Sequence, residues 1–544
     1  MKAQLTWRIS KACILAGMFG ACSRLETAVT APERSPQVYK VEEKSVSTLL
    51  ADLAARRVSS AQLVALYRAR IEALDTNGPA LHSVIAINPR AEEQARTLDE
   101  ERATGDLRGP LHGIPILIKD NNETADPLPT TAGSLALRLN ITGRDAPAVA
   151  RLRAAGAIIL GKANLSEWAN IRSPRSSSGW SAIGGLTKNP YALERNPCGS
   201  SSGSGAAIAA NLAALAVGTE TDGSITCPAS LMALVGLKPT VGLVSRTHII
   251  PISPLQDTAG PLTRNVADAA LLLRVMAGSD PADAATRDAD AHVVDYPAAL
   301  SKAALSGRRF GVLKFHAGFL PEVDTLFEAA IAELKAAGAE LAVIEKFAAL
   351  EAINDDELKV LLGDFRRGVN DYLAGSPAAL EVRTLADLIR FNENHAREEM
   401  PHFHQEFFEQ AEDSRHANPA EFSQLREHNR KRAQEALDGM LKSQSLDALI
   451  APSYGPAWTT DLINGDHVLG GACTLPAVAG YPHITVPMGQ VHDLPIGLSF
   501  IGPAWSDATL LNYAYAYEQR TQLRRPPTLP NANAPQPRSS QRQR

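Results

Sequence analysis

A run of glycine and serine, Gly199-Ser200-Ser201-Ser202-Gly203-Ser204-Gly205, passes without a break into the small apolar segment Ala206–Ala216. Few folds accept that transition. Glycine lets backbone N–H groups approach a ligand, and a helix start behind them favours negative charge, so the loop suits an anion or an oxyanion. A flexible linker would not run straight into an apolar helix. A phosphate-binding P-loop needs a lysine beside a closing Ser or Thr, and none is here. The same residues satisfy G-x-S-x-G with Ser201 as nucleophile. That elbow follows a β-strand directly, whereas the preceding Asn189–Pro197 is polar and holds Pro190 and Pro197.

The remainder alternates helical patterns with short apolar runs, which predicts an α/β fold with a buried sheet. Ser59 and Gln62 form a capping box and Val58 with Leu63 a hydrophobic staple, opening a helix with Leu66 and Ile71 on its inner face. Ala148–Ala155 reads as a helix, Gly156 as its left-handed stop and Ala157–Leu160 as a strand. The same grammar recurs at Val323–Ala337, Gly338 and Glu340–Ile344. Ala448–Ala451, Ile484–Val486 and Gly497–Ile501 read as further strands, with Pro452 and Pro487 ending the first two. Between 347 and 445 the chain turns charged and helix-forming, a helical insertion within one unit spanning 43–525.

Composition narrows the classes of function. With 544 residues, 45% hydrophobic and 21% charged, the chain can bury a large core and is neither disordered nor collagenous. Lys plus Arg at 54 against Asp plus Glu at 59 leaves −5, so there is no basic excess to hold nucleic acid. Met1-Lys2, Arg8 and Lys11 precede the apolar Ala12–Ala21, which reads as an export signal over 1–22, too short to span a bilayer. Phe19-Gly20-Ala21-Cys22 resembles a bacterial lipobox with Phe in place of Leu. Two outcomes follow: a lipid anchor at Cys22, or plain cleavage and release into the periplasm, with 23–42 as a polar tether. The stretch 526–544 has almost no apolar residues and is expected to be disordered. Outside the leader, Cys198, Cys227 and Cys473 are odd in number without C-x-x-C spacing, so neither a disulfide framework nor a zinc site is expected.

A second small-residue turn, Gly218-Thr219-Glu220-Thr221-Asp222-Gly223-Ser224-Ile225, presents a hydroxyl among closely spaced N–H donors. Together with the Ser-rich loop and with Gly113-Ile114-Pro115-Ile116-Leu117-Ile118-Lys119-Asp120, it resembles the amidase signature family. The resemblance runs from near Val46, through Val235–Thr240 and Asp257–Pro261, to Gly480–Gln519. It implies a central mixed β-sheet covered by helices and a Ser, cis-Ser, Lys triad. By motif position Ser224 is the nucleophile, Ser200 the cis-serine after a cis Gly199–Ser200 peptide, and Lys119 the base. Asp222 where the family often has Gly, Thr226 where Arg is common, and Pro197-Cys198 for Pro-Gly are closer to its peptide amidase branch. That branch implies hydrolysis of peptide C-terminal amides with release of ammonia, by a monomer without cofactor or metal. The alternatives are an amidase for small aryl or aliphatic amides and a non-catalytic amidase-fold subunit.

The chemistry fits these residue types. Serine must lose a proton as it attacks, and a lysine can take one only if burial pulls its pKa well below about 10.4. Lys119 ends an apolar run, but Lys162 and Lys238 do so equally, and the residues alone do not choose among them. The backbone N–H groups of Thr221, Asp222, Gly223 and Ser224 are placed to hold an oxyanion. Ser201 and Ser176 are candidates for steering the substrate amide, and Glu220 for orienting the loop. His248 and His492 have no spacing that makes them triad members, and His402 with His404 lacks a third metal ligand.

Overall fold

The computed structural model describes residues 39–347 and 349–529. The expected export signal, residues 23–38 of the tether and the tail from 530 lie outside them. Short apolar runs form β1 (Val84–Ile87), β2 (Pro115–Lys119), β3 (Ile158–Ala163), the small hairpin β4 (Trp180–Ser181) and β5 (Gly185–Leu186), β6 (Leu215–Glu220), β7 (Val235–Lys238) and β8 (Thr258–Thr263). The second half adds β9 (Arg309–Leu313), β10 (Glu340–Ile344), β11 (Ala448–Pro452), β12 (His483–Val491) and β13 (Leu494–Ile501).

All but the hairpin join one mixed sheet, in the order β1-β3-β2-β6-β8-β7-β12-β13-β11-β9-β10. β2 lies between β3 and β6 and runs parallel to both. Every residue of these three strands is buried, which is why β2 and β3 read as continuous apolar runs and not as alternating ones. The segment Ala206–Ala216 is helical only to Ala209, and β6 begins at Leu215 and takes in Gly218–Glu220, which read as part of a turn. In such parallel arrangements the crevice outside the carboxyl ends of the strands is where ligands bind. Lys119 ends β2 and Glu220 ends β6 at that crevice.

The helix, glycine, strand grammar follows local physics. The helix Pro147–Ala154 stops at Gly156 (φ 87°) before β3, and Pro321–Ala336 stops at Gly338 (φ 90°) before β10. A Cβ on Gly156 would also lie 2.6 Å from the His112 Cα, so this stop admits no side chain. The Ser59–Gln62 capping box is present on the helix Ser60–Arg70. Its buried face is Leu63, Val64 and Tyr67, and Ile71 is buried where the next turn widens into a π-turn. Leu66, expected inside, is half-buried, because the buried stripe runs through Ser60, Leu63, Val64, Tyr67 and Ile71 at three- and four-residue spacing and Leu66 lies at its edge.

Pro452 ends β11 as expected, but Pro487 does not end β12, which continues to Val491 through an irregularity between Pro487 and Gly489. Pairing of β12 with β7 stops at Thr485, so beyond it β12 has one neighbour and no ladder bond on the other side for Pro487 to break.

Between β10 and β11 the chain is helical: Leu350–Gly375, Leu385–Asn394, Ala396–Glu399, Glu406–Asp413 and Pro419–Ser443. Phe365, Val369 and Leu373 of the first helix pack with Leu385, Leu388 and Phe408 against Trp168, Ile171, Ile250 and Ile252. That core seats the helices on loops beside the carboxyl ends of β2 and β6. No helix among the described residues is long and apolar enough to cross a membrane.

Candidate active site

Lys119 is fully buried, and its Nζ lies 2.8 Å from Ser200 Oγ, 2.9 Å from Thr219 Oγ1 and 3.2 Å from the Thr219 carbonyl. Desolvation pulls its pKa down to about 7, against the pull of Glu220 and Asp257 in the other direction. Lys162 and Lys238 are as deeply buried but engaged elsewhere. Lys162 donates to the Asn122 carbonyl (2.7 Å) and Thr130 Oγ1 (2.8 Å) and pairs with Asp120 at 3.5 Å. Lys238 donates to the Tyr481 carbonyl (2.6 Å). Of these three only Lys119 meets Ser200.

Ser200 follows a cis Gly199–Ser200 peptide, and its carbonyl accepts the Ser166 N–H (3.0 Å). Ser201 begins the helix Ser202–Ala209, whose eight residues are all buried, as its Ala and Gly content permits. The Ser201 hydroxyl donates to the Thr219 carbonyl (3.0 Å) and accepts the Thr219 N–H (3.2 Å), so it is spent on the β6 backbone. Ser176 likewise donates to the Ser173 carbonyl (2.9 Å). Neither hydroxyl proton is free for a substrate.

The turn after β6 carries Ser224, which is 7% exposed. Glu220 orients it: Oε2 accepts the N–H groups of Ile225 (2.8 Å) and Thr226 (2.9 Å), the start of the helix Thr226–Leu231. Among the described residues, nothing accepts the N–H groups of Asp222, Gly223 or Ser224. Three consecutive open donors beside a nearly buried hydroxyl make an anion-binding concavity. Gly223 sits at φ 77°, and a Cβ there would meet Tyr454 Oη at 2.4 Å. The Ser201 N–H donates to the Ser224 carbonyl (3.1 Å), tying this turn to the Ser200 loop.

Several groups at the site went unseen in the sequence. Thr219 holds Lys119, and Asn121 Nδ2 donates to the same Thr219 Oγ1 (2.9 Å). Asp222 accepts from Thr474 Oγ1 (2.8 Å) and lies beside Glu357 of the helical segment, whose Oε1 accepts Gln256 Nε2 (2.6 Å). Burial and the neighbouring Asp222 push the Glu357 carboxyl well above its usual range. A buried acid on a charged helix gives no sequence signal until its partner is known.

The cysteines require a correction. Cys198 and Cys227, 29 residues apart, form a disulfide with Cα atoms 5.9 Å apart. An odd count and the absence of C-x-x-C spacing hid a bridge between loops that only the fold brings together. Cys473 is free, and burial with nearby Asp222 raises its thiol pKa well above the usual value. Of the histidines weighed above, His492 is exposed in the tight turn between β12 and β13, His402 and His404 are exposed, and His248 is half-buried. Among the described residues no cluster could hold a metal ion.

A buried lysine meeting a serine at a strand end, with an open-donor turn opposite, defines a serine amidohydrolase site. Comparison with known proteins agrees. An amidase family profile matches residues 62–511. The native peptide amidase of Stenotrophomonas maltophilia superposes with a TM-score of 0.84 at 48% identity, covering 90% of this chain and 99% of that one. A probable amidase of Arabidopsis thaliana is 38% identical over 510 residues, 91% of this chain and 93% of its own. An amidase family protein of Bacillus anthracis superposes with a TM-score of 0.81 at 37% identity, covering 90% of this chain and 93% of that one. The chain belongs to the amidase signature family, and it is an amidase that hydrolyses C–N amide bonds.

Proposed function

We propose that the enzyme hydrolyses the C-terminal amide of peptides to the free acid and ammonia, through an acyl-enzyme on Ser224. The observation that carries the catalytic part is how Lys119 spends its bonds. A neutral amine has two N–H donors and one lone pair. The two Thr219 oxygens take the donors, which leaves the lone pair for the Ser200 hydroxyl. Ser200 then passes its proton to Lys119 as it accepts one from Ser224, and Ser224 Oγ attacks the amide carbon. The tetrahedral oxyanion is held by the N–H groups of Asp222, Gly223 and Ser224, and Thr221 lends its N–H from the edge of the turn. Collapse returns the proton to the leaving nitrogen, and water releases the acid by the same route in reverse.

The peptide amide is supported by the 48% identity to the S. maltophilia peptide amidase and by Asp222 and Thr226 on either side of Gly223-Ser224-Ile225. Ammonia release from a blocked dipeptide amide, an aryl amide and a long-chain fatty amide tests it. The peptide amide is expected to exceed both others in kcat/KM by at least about 100-fold, a discrimination of some 3 kcal/mol. Equal or faster release from the aryl amide would contradict this reading in favour of a small-amide amidase.

Gly223→Ala is expected to lower kcat by about 100-fold or more, the usual cost of one displaced oxyanion donor. Near-normal turnover in the folded variant would remove Gly223 from that role. We also place the enzyme outside the cytoplasm. The leader and the Cys198–Cys227 disulfide support this together, since disulfides persist in oxidising compartments.

A further inference from the structure

Cys198 stands two residues before Ser200, and Cys227 three residues after Ser224. Their disulfide therefore closes a ring of chain that contains Ser200, Thr219, Glu220 and Ser224, every group of the proposed mechanism but Lys119. Both half-cystines are buried, 5% and 2% exposed, against Leu231, Tyr454 and Trp458. Cys198 is held on its own side by its N–H on Asn196 Oδ1 (2.7 Å) and by Ser202 Oγ on its carbonyl (2.6 Å). Cys227 is held on the other by its N–H on the Gly223 carbonyl (2.8 Å). These bonds order each loop by itself. Across the loops, the Ser201 N–H donates to the Ser224 carbonyl, the Ser201 hydroxyl bonds the N–H and carbonyl of Thr219 in β6, and the disulfide adds a covalent tie to these.

We propose that the disulfide is a positioning element for catalysis, fixing the Ser200 loop against the Ser224 turn. The inference rests on the roles given to Ser200 and Ser224 above. A proton relay through two hydroxyls needs both oxygens within hydrogen-bond reach, and a displacement of about 1 Å costs on the order of 100-fold in rate. Cys473 packs against the same cluster, and its raised thiol pKa lowers the share of the thiolate, which is the exchanging species. Opening the bridge takes two electrons from an added reductant such as a water-soluble phosphine. With water supplying the oxygen and the two protons it yields two thiols and the phosphine oxide, and re-oxidation by glutathione disulfide restores the bridge with two equivalents of glutathione.

The test compares wild type with the double variant Cys198→Ala and Cys227→Ala. Three quantities are read well below the melting temperature of each: kcat and KM on a blocked dipeptide amide, and the rate at which a fluorophosphonate labels Ser224. The variant is expected to lose about 10- to 100-fold in kcat and in labelling rate, with KM within about threefold. Wild-type kcat and labelling in a folded variant that merely melts earlier would overturn the proposal, leaving the bridge a staple. Should the variant not fold, wild type reduced with phosphine in mild urea carries the test. The same loss, recovered on re-oxidation, is expected, and an unchanged labelling rate overturns it. Labelling does not depend on the substrate. A wild type that is labelled at Ser224 but releases no ammonia from the peptide amide therefore refutes the substrate reading and not this one, whereas no labelling at all refutes both.

Discussion

Ser224→Ala is expected to lower kcat on a blocked dipeptide amide by about 10⁴- to 10⁶-fold with the protein still folded, as removal of a serine nucleophile does where the rest of the site remains. The residue is nearly buried and its turn is held by Glu220, so the shorter side chain leaves the backbone donors in place. Residual turnover would come from those donors acting on a bound amide. The contrasting variant is Ser201→Ala. Its hydroxyl is bonded to the N–H and carbonyl of Thr219, so it is expected to cost stability and less than about tenfold in kcat. The reverse order would point to a nucleophile elbow at Ser201. The measurement is steady-state ammonia release, with circular dichroism to confirm folding.

Lys119→Met is the second large effect, an expected loss of about 10³- to 10⁴-fold in kcat/KM, at the upper end of what general-base removal costs. Its pH dependence identifies it. Lys119 must be neutral to accept a proton, and burial sets its pKa near 7, so wild-type kcat/KM rises with pH through about 7 and levels off above. Below that, the ammonium form grows and activity falls about tenfold per pH unit. In Lys119→Met the residual rate is expected to lose that limb. A wild-type rise centred instead near pH 10, or an unchanged limb in the variant, would remove Lys119 from the role of base.

What was legible in the sequence was what local chemistry decides. Gly156 and Gly338 end their helices because φ near 90° excludes other side chains, and the Ser59 capping box closes within three residues. The continuous apolar runs of β2 and β3 were readable because both faces of those strands are buried, whereas β6 was not, because Leu215 and Ala216 continue the small apolar segment that opens as a helix and Gly218–Glu220 read as a turn. What needed the fold was whatever is decided by distant partners. Lys119, Lys162 and Lys238 all end apolar strands and differ only in what lies across from them: Ser200, Asp120 or the Tyr481 carbonyl. Pro487 is tolerated because β7 has already left β12 there, a fact of sheet order and not of proline. Glu357 gains its place beside Asp222 from how a charged helix packs, and Cys198 meets Cys227 because β6 returns the chain to the Ser-rich loop.

The central claim, an acyl-enzyme on Ser224 formed from a peptide acyl group, has one direct measurement. A blocked dipeptide activated ester acylates faster than an amide, so hydrolysis of the acyl-enzyme becomes the rate-limiting step and the intermediate accumulates for acid quenching to trap it. Digestion and mass spectrometry of the quenched enzyme then locate the adduct. The account predicts the dipeptidyl group on the fragment containing Ser224, absent in Ser224→Ala. An adduct on Ser201 or another residue, persisting in Ser224→Ala, would contradict it.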